Sequence, residues 1–262
     1  MAKELLTKEI KTAPAKPEKK KETPMEFLSS MAVVLVTGLF IITFNLQAFE
    51  IPSSSMENTL LIGDHVFVDR VSVAPKTAWM PLEPYRAIKR DDIVVFLSPE
   101  TPGLYVVKRV IGIPGDHIHL RDGKVFVNGA EQKEPFVIHT KGNYDPYRDN
   151  FPAVPASESS TPVSTDWPLM VGMMKQGDDL VVPPDSYFGM GDNRDESYDS
   201  RYWGFIPKEN IIGRPLFIYW SFETPRDQYL KTDLSERVKF VGQIALHFFD
   251  KTRWGRMLHL VR

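Results

Sequence analysis

Cysteine is absent from the 262 residues. That absence excludes a disulfide framework, a thiolate zinc site and a cysteine nucleophile, and it fits a compartment outside the cytoplasm. An excess of charge of one sign is missing too. The 32 Lys+Arg stand against 34 Asp+Glu, a formal net charge of −2, which argues against a protein built to neutralise nucleic acid. Several catalytic signatures are lacking: no Gly-x-Ser-x-Gly elbow, no Ser-x-x-Lys, no His-Glu-x-x-His and no Walker phosphate loop. No internal repeat is visible. With 25% charged and 42% hydrophobic residues, the composition excludes wholesale disorder and a fibrous protein.

Long hydrophobic runs are scarce as well, and the single one is informative. Residues 27–49 carry no charge, between Glu26 and Glu50. A spanning helix needs roughly 20 mostly apolar residues, so a transmembrane helix is expected over 25–50. Residues 1–24 hold seven Lys and four Glu. They read as a disordered tail whose lysines keep the N-terminus in the cytoplasm and put everything after Glu50 outside. A cleaved signal peptide is the main rival, because Ser53 and Ser55 form a small-x-small pattern. The run exceeds the usual h-region, however, and Glu50 and Pro52 separate it from that cut. A buried core helix would show a polar stripe that the centre of this one lacks. The reading is a retained single-pass anchor.

Beyond the anchor, residues 51–262 read as one β-rich domain. His65–Val68, Ile93–Leu97, Tyr105–Ile111 and Leu216–Phe222 are short and rich in β-branched or aromatic residues. His117–Leu120 and Val125–Val127 read as strands around a turn, with a further turn at Asn128-Gly129. Many short strands with Gly, Asp and Asn turns predict a mainly antiparallel sheet or barrel-like fold. Two stretches read as peripheral. Residues 140–170 have the composition of a loop insertion. The basic tail from Lys239 suits a final docked strand or helix, or contact with anionic lipid. His117 and His119 share a strand face, but no acid at ligand spacing supports a metal site there.

Three segments carry candidate chemistry. In Ile51–Leu60, Pro52 stops the preceding helix. An extended chain there would point Ser53 and Ser55 the same way, one hydroxyl to attack a carbonyl and one to donate to the oxyanion. The same composition also suits a flexible polar linker. In Tyr105–Ile111, Lys108 and Arg109 each have apolar neighbours on their own strand face. A buried Lys108 would lose its proton easily and serve as a general base, whereas an edge lysine would snorkel to water. In Gly189–Gly204, Asp192, Asp195 and Asp199 alternate with Arg194 and Arg201. The spacing does not meet the EF-hand pattern, and the arginines favour ion pairs that rigidify the loop around a partner such as Ser197.

Taken together, these segments resemble bacterial type I signal peptidase, a membrane-bound Ser/Lys protease family. The boxes are Pro52-Ser-Ser-Ser-Met-Glu-Asn-Thr-Leu60, Lys108-Arg-Val-Ile-Gly-Ile-Pro-Gly-Asp116 and Gly191-Asp-Asn-Arg-Asp-Glu-Ser-Tyr-Asp-Ser-Arg201, with a weaker Asp91–Phe96 box between the first two. The order of elements covers roughly residues 27–220. The resemblance implies Ser55 as nucleophile and Lys108 as general base. It implies an oxyanion hole from the Ser53 hydroxyl and the Ser55 backbone N–H. Ser197 would hydrogen-bond the lysine, Asp199 and Arg201 would support the site, and Met56 would lie near the substrate pocket. It implies removal of signal peptides from secretory precursors after a small-x-small site, at the plasma membrane, without metal or organic cofactor. Ser54 departs from the usual glycine, and Glu57-Asn58 from the usual residue-Pro pair. A self-cutting Ser/Lys protease, a catalytically silent tethered β domain that binds secreted polypeptides, and a calcium-binding envelope protein are the alternatives.

Overall fold

A computed structural model describes residues 23–73 and 85–262. The chain divides into two units, 1–41 and 42–262. In the first, helix α1 (Pro24–Phe40) opens with a capping box. The Thr23 hydroxyl accepts the Glu26 N–H, the Glu26 carboxylate accepts the Thr23 N–H, and Pro24 occupies the first turn, where no N–H is needed. Residues Pro24–Thr43 have a mean hydropathy of 2.1 and none of the stretch is buried, as an anchor requires. The expected boundary at 50 is corrected: the helix ends in one wide turn, Ile41–Asn45, and Leu46–Glu50 is a strand. Those five residues gain backbone partners from a neighbouring strand that a helix end would leave unmet.

The second unit continues in chain order with β1 (Leu46–Glu50), β2 (Asp64–Asp69), β3 (Ile93–Leu97), β4 (Tyr105–Gly112), β5 (His117–Arg121), β6 (Lys124–Val127), β7 (Ala130–Glu131), α2 (Pro146–Asp149) and α3 (Trp167–Met174). There follow β8 (Lys175–Gln176), β9 (Asp179–Val181), β10 (Ser186–Met190), α4 (Ser200–Trp203), β11 (Ile206–Pro207), β12 (Ile211–Ser221), α5 (Leu234–Leu246), α6 (Phe248–Lys251) and β13 (His259–Leu260). The strands form two antiparallel sheets. The larger has the order β1-β2-β12-β3-β4-β10-β11, with β13 added to β12; the smaller is β7-β6-β5-β9-β8. The mainly antiparallel β reading holds. Long β12 pairs β3 through Ile211 and Gly213, then β2 from Arg214 to Ser221, and its register shifts let it serve both. The turns at Asp122-Gly123 and Asn128-Gly129 have positive φ at both residues, as tight hairpins demand.

Residues 140–170 are not peripheral, contrary to expectation. Tyr147, Phe151 and Trp167 are buried in the core that also holds Ile118, Leu180 and Phe188. Phe151 stacks on Phe188 with ring centroids 5.7 Å apart. The Tyr147 hydroxyl and the Trp167 indole N–H both donate to the Arg201 carbonyl, at 2.6 and 2.9 Å. Proline and serine content hid three aromatic anchors, each worth several kcal/mol, about 3–5 when truncated. The C-terminal tail docks as strand β13, paired to Phe217 and Ile218, and Arg256 forms an ion pair with buried Asp64.

Candidate functional site

The serine segment is fixed at both sides by core residues. Ile51, Met56 and Leu60 are buried with Val66, Val95 and Ile218. Ser53 is extended, but Ser54–Met56 forms a short helical turn, closed by the Glu57 N–H on the Ser54 carbonyl. The expected extended alternation therefore stops at Ser53. The two hydroxyls still come together, Ser53 Oγ to Ser55 Oγ at 3.4 Å. Ser54, in the glycine's place, lies in this helical turn, and its hydroxyl donates to Glu196 at 2.7 Å. Asn58 has φ +93°, a conformation closed to proline, and its amide donates to the Phe136 carbonyl at 3.0 Å.

Lys108 sits in the middle of β4, opposite Val94 of β3. Lys108 and Arg109 are both buried, although β10 flanks β4 only from Arg109 onward. Burial is the largest influence on the Lys108 amine, pushing it down from 10.5 to about 8. Asp199 pulls the other way, Arg201 adds to the lowering, and Asp192 opposes it. Arg109 is satisfied separately, clamped to Asp192 at 2.7 and 2.8 Å and lying over the Phe136 ring at 3.8 Å.

The Gly189–Gly204 segment brings a third side to this site. Asp199 caps α4 by accepting the Arg201 N–H and grips the Arg201 guanidinium at 2.8 and 2.9 Å. Burial alone would raise the Asp199 carboxyl, but the Arg201 charge and hydrogen bonds hold it below the usual range. Asp199 also accepts the Gly191 N–H at 3.1 Å. Each of the three aspartates faces an arginine: Asp192 takes Arg109, Asp195 takes Arg148 as well as a His139 ring nitrogen, and Asp199 takes Arg201. They diverge, and no cluster able to hold a metal ion occurs among the described residues. Ser197 Oγ is buried without a hydrogen-bond partner among the described residues. The bond to Lys108 that the resemblance implies is therefore not formed in this structure.

Two glycines are needed here that sequence reasoning did not assign. A Cβ on Gly191 would lie 2.3 Å from Ser197 Oγ and 2.4 Å from the Ser55 carbonyl. One on Gly189 would lie 3.2 Å from the Lys108 Cβ. Their bare backbone lets the serine turn and the lysine close on this loop. The Asn193 N–H, donating to the Ser55 carbonyl at 3.1 Å, ties the two together. The glycines of Gly189-Met-Gly191 were the available signal.

Ser53, Ser55, Met56 and Lys108 line one groove of about 370 Å³, walled by Phe49, Leu104 and Tyr105 among others. Asp199, Arg201 and Ser197 stand behind it. Two strand edges border the groove. β1 pairs with β2 alone, and Tyr105–Lys108 pair with β3 alone, since β10 joins β4 only from Arg109 onward. The groove thus holds a serine hydroxyl and an amine lowered to about 8, the two kinds of group that nucleophilic acyl transfer with a general base requires.

The family model for signal peptidase, peptidase S26, matches residues 24–220. A probable signal peptidase I-2 of Synechocystis is 33% identical, over 84% of this chain and 84% of its own length. Signal peptidase I of Pseudomonas fluorescens is 32% identical, covering 81% and 79%. Signal peptidase I of Aquifex aeolicus is 33% identical, covering 74% and 83%. A match that begins at the apolar helix and takes in Ser53, Ser55, Met56 and Lys108 of the groove, as far as β12, shows that this chain belongs to the signal peptidase family, peptidase S26.

Proposed function

We propose that this chain is a membrane-anchored serine endopeptidase that removes signal peptides from secretory precursor proteins by a Ser55/Lys108 dyad. The observation that carries the dyad is the buried amine of Lys108, lowered to about 8, on the same groove as Ser55. The precursor segment enters as an added strand, its main chain pairing with the free edges beside Phe49 and Tyr105–Lys108. Small side chains fit the apolar wall near Met56, and larger ones are excluded. Neutral Lys108 takes the Ser55 proton as Oγ attacks the scissile carbonyl. The oxyanion accepts from the Ser53 hydroxyl and the Ser55 N–H. Collapse returns the proton from Lys108 to the leaving amine and frees the mature chain. Water, deprotonated by Lys108, then attacks the acyl-enzyme and releases Ser55 with the signal peptide carboxylate.

Supporting roles follow from the packing. Asp199 and Arg201 hold the loop that backs Lys108, and Ser197 swings its unpartnered hydroxyl to orient the amine when substrate arrives. The lysines in residues 1–24 keep the N-terminus in the cytoplasm, α1 crosses the plasma membrane once, and the globular unit works outside. The bilayer is a partner in that it confines enzyme and precursor to one surface. The test is cleavage, in liposomes, of a precursor with an Ala-x-Ala signal peptide, the cut read by mass spectrometry. A cut after the small-x-small site, lost in Ser55→Ala, supports the reading. Cleavage that survives Ser55→Ala or Lys108→Ala refutes the dyad, and binding without cleavage points to a silent tethered domain.

A further inference from the structure

Helix α5 lies beyond the region matched by the family, which ends at residue 220. It is 13 residues long, about 20 Å, and is capped by Asp233. One face rests on the globular unit through Phe240 and Ile244, with Phe240 edge-on to buried Phe222 at 6.3 Å. A second stripe, about a quarter-turn round the helix from that face, is apolar and exposed, where a helix packed on a soluble domain would be polar. Leu234, Val238 and Val241, spaced at i, i+4 and i+7, are 74%, 63% and 64% exposed. Single exposed apolar residues need no explanation, but an aligned stripe does. Arg237 borders the stripe on one side and is exposed, while Lys239 stands further round the helix and is paired with Glu236 at 2.7 Å. In this arrangement the Arg237 head reaches phosphate while the stripe enters the acyl boundary.

Position also selects the occupant. Glu50 and Pro52 share a cavity of about 340 Å³ with Arg237 and Phe240. Glu50 is seven residues past Thr43, the end of the apolar span, a tether of at most roughly 25 Å. We propose that α5 is an in-plane membrane-surface helix, its Leu234–Val238–Val241 stripe buried at the headgroup–acyl boundary of the bilayer that holds the anchor. The helix gives the globular unit a second attachment and limits its rotation about the chain joining it to α1.

The native chain has no cysteine, so single cysteines can be walked through residues 234–242 of the full-length protein. Each carries a nitroxide in liposomes containing phosphatidylglycerol, and its collisions with oxygen, concentrated in lipid, are compared with those of a water-soluble nickel chelate. The expected pattern has the helical period. Oxygen access is several-fold higher at 234, 238 and 241 than at 235 and 239, with the chelate excluded from the stripe. Equal chelate access at 238 and 239 overturns the proposal. A stripe shielded from both reagents, or a pattern that fades on dilution into more lipid, overturns it in favour of contact between copies. Loss of the pattern in purely zwitterionic liposomes, with recovery on adding anionic lipid, supports it and assigns Arg237 its headgroup role. None of these readings depends on cleavage.

Discussion

Replacing Lys108 with methionine separates the cost of the buried amine from its use. The amine titrates near 8 in the folded chain and near 10.5 when exposed. Between those values the unfolded chain binds the extra proton, so stability rises with pH; below about 8 both states carry it and the fold bears the full burial penalty. The 2.5-unit difference corresponds to about 3 kcal/mol. Methionine matches the volume without the charge. Lys108→Met is therefore expected to gain about 3 kcal/mol relative to wild type at pH 7, and to lose that advantage as pH approaches 10.5. Urea unfolding of the globular unit, followed by tryptophan fluorescence between pH 7 and 10.5, reads this directly. Activity gives an independent view of the same proton. With an amine at 8, about one molecule in eleven is neutral at pH 7 and about ten in eleven at pH 9, so wild-type kcat/KM rises about tenfold and levels off. An ordinary lysine would give about a hundredfold rise over that range with no plateau. A stability difference between Lys108→Met and wild type that is flat in pH, or a rate that climbs past pH 9 without bending, refutes the argument that burial lowers this amine.

Other perturbations test the rest of the site. Ser53→Ala removes the hydroxyl proposed to donate to the oxyanion and leaves the proposed backbone donor, so kcat should fall about 10²–10³-fold with KM little changed, as steady-state cleavage assays would show. Gly191→Ala drives a methyl into the Ser55 carbonyl and Ser197 hydroxyl. It should cost about 1–3 kcal/mol in thermal or urea unfolding and a larger share of kcat than of KM. Trp167→Ala should destabilise by about 3–5 kcal/mol, because the indole fills the core and holds the Arg201 carbonyl; a value near zero would return residues 140–170 to the status of a surface loop.

What could be seen in the sequence and what could not follow from how local each signal is. β-branched runs such as Ile93–Leu97 declare themselves because strand propensity and alternation act within a few residues. The anchor is visible because bilayer thickness sets the length of an uncharged run, yet its end was misplaced by five residues. Leu46–Glu50 is apolar enough to extend a helix, and only pairing with β2, across a serine segment of a dozen residues, makes it a strand. Aromatic anchors in a Pro- and Ser-rich stretch were masked for the same reason: composition reports on the local chain, while Trp167 answers to Phe205 and Arg201.

The site divides along that line. Ser55, Lys108 and Asp199 are separated by 53 and then 91 residues, so their convergence in the fold was legible only through the resemblance of ordered boxes, each weak alone. Lysine burial was half legible. Alternation put Lys108 among Val106 and Val110, but the choice between a buried base and a snorkelling edge lysine depended on whether β4 had one neighbour or two. It has β3 on one side and β10 on the other only from Arg109, so the buried amine stands at the first residue of the open edge. A lysine one pair further toward Tyr105 would reach water and hold its proton; one pair further in would be sealed from any substrate. The register of β10 on β4 is thus what makes one position both low in pKa and open to the groove, and register is a tertiary property.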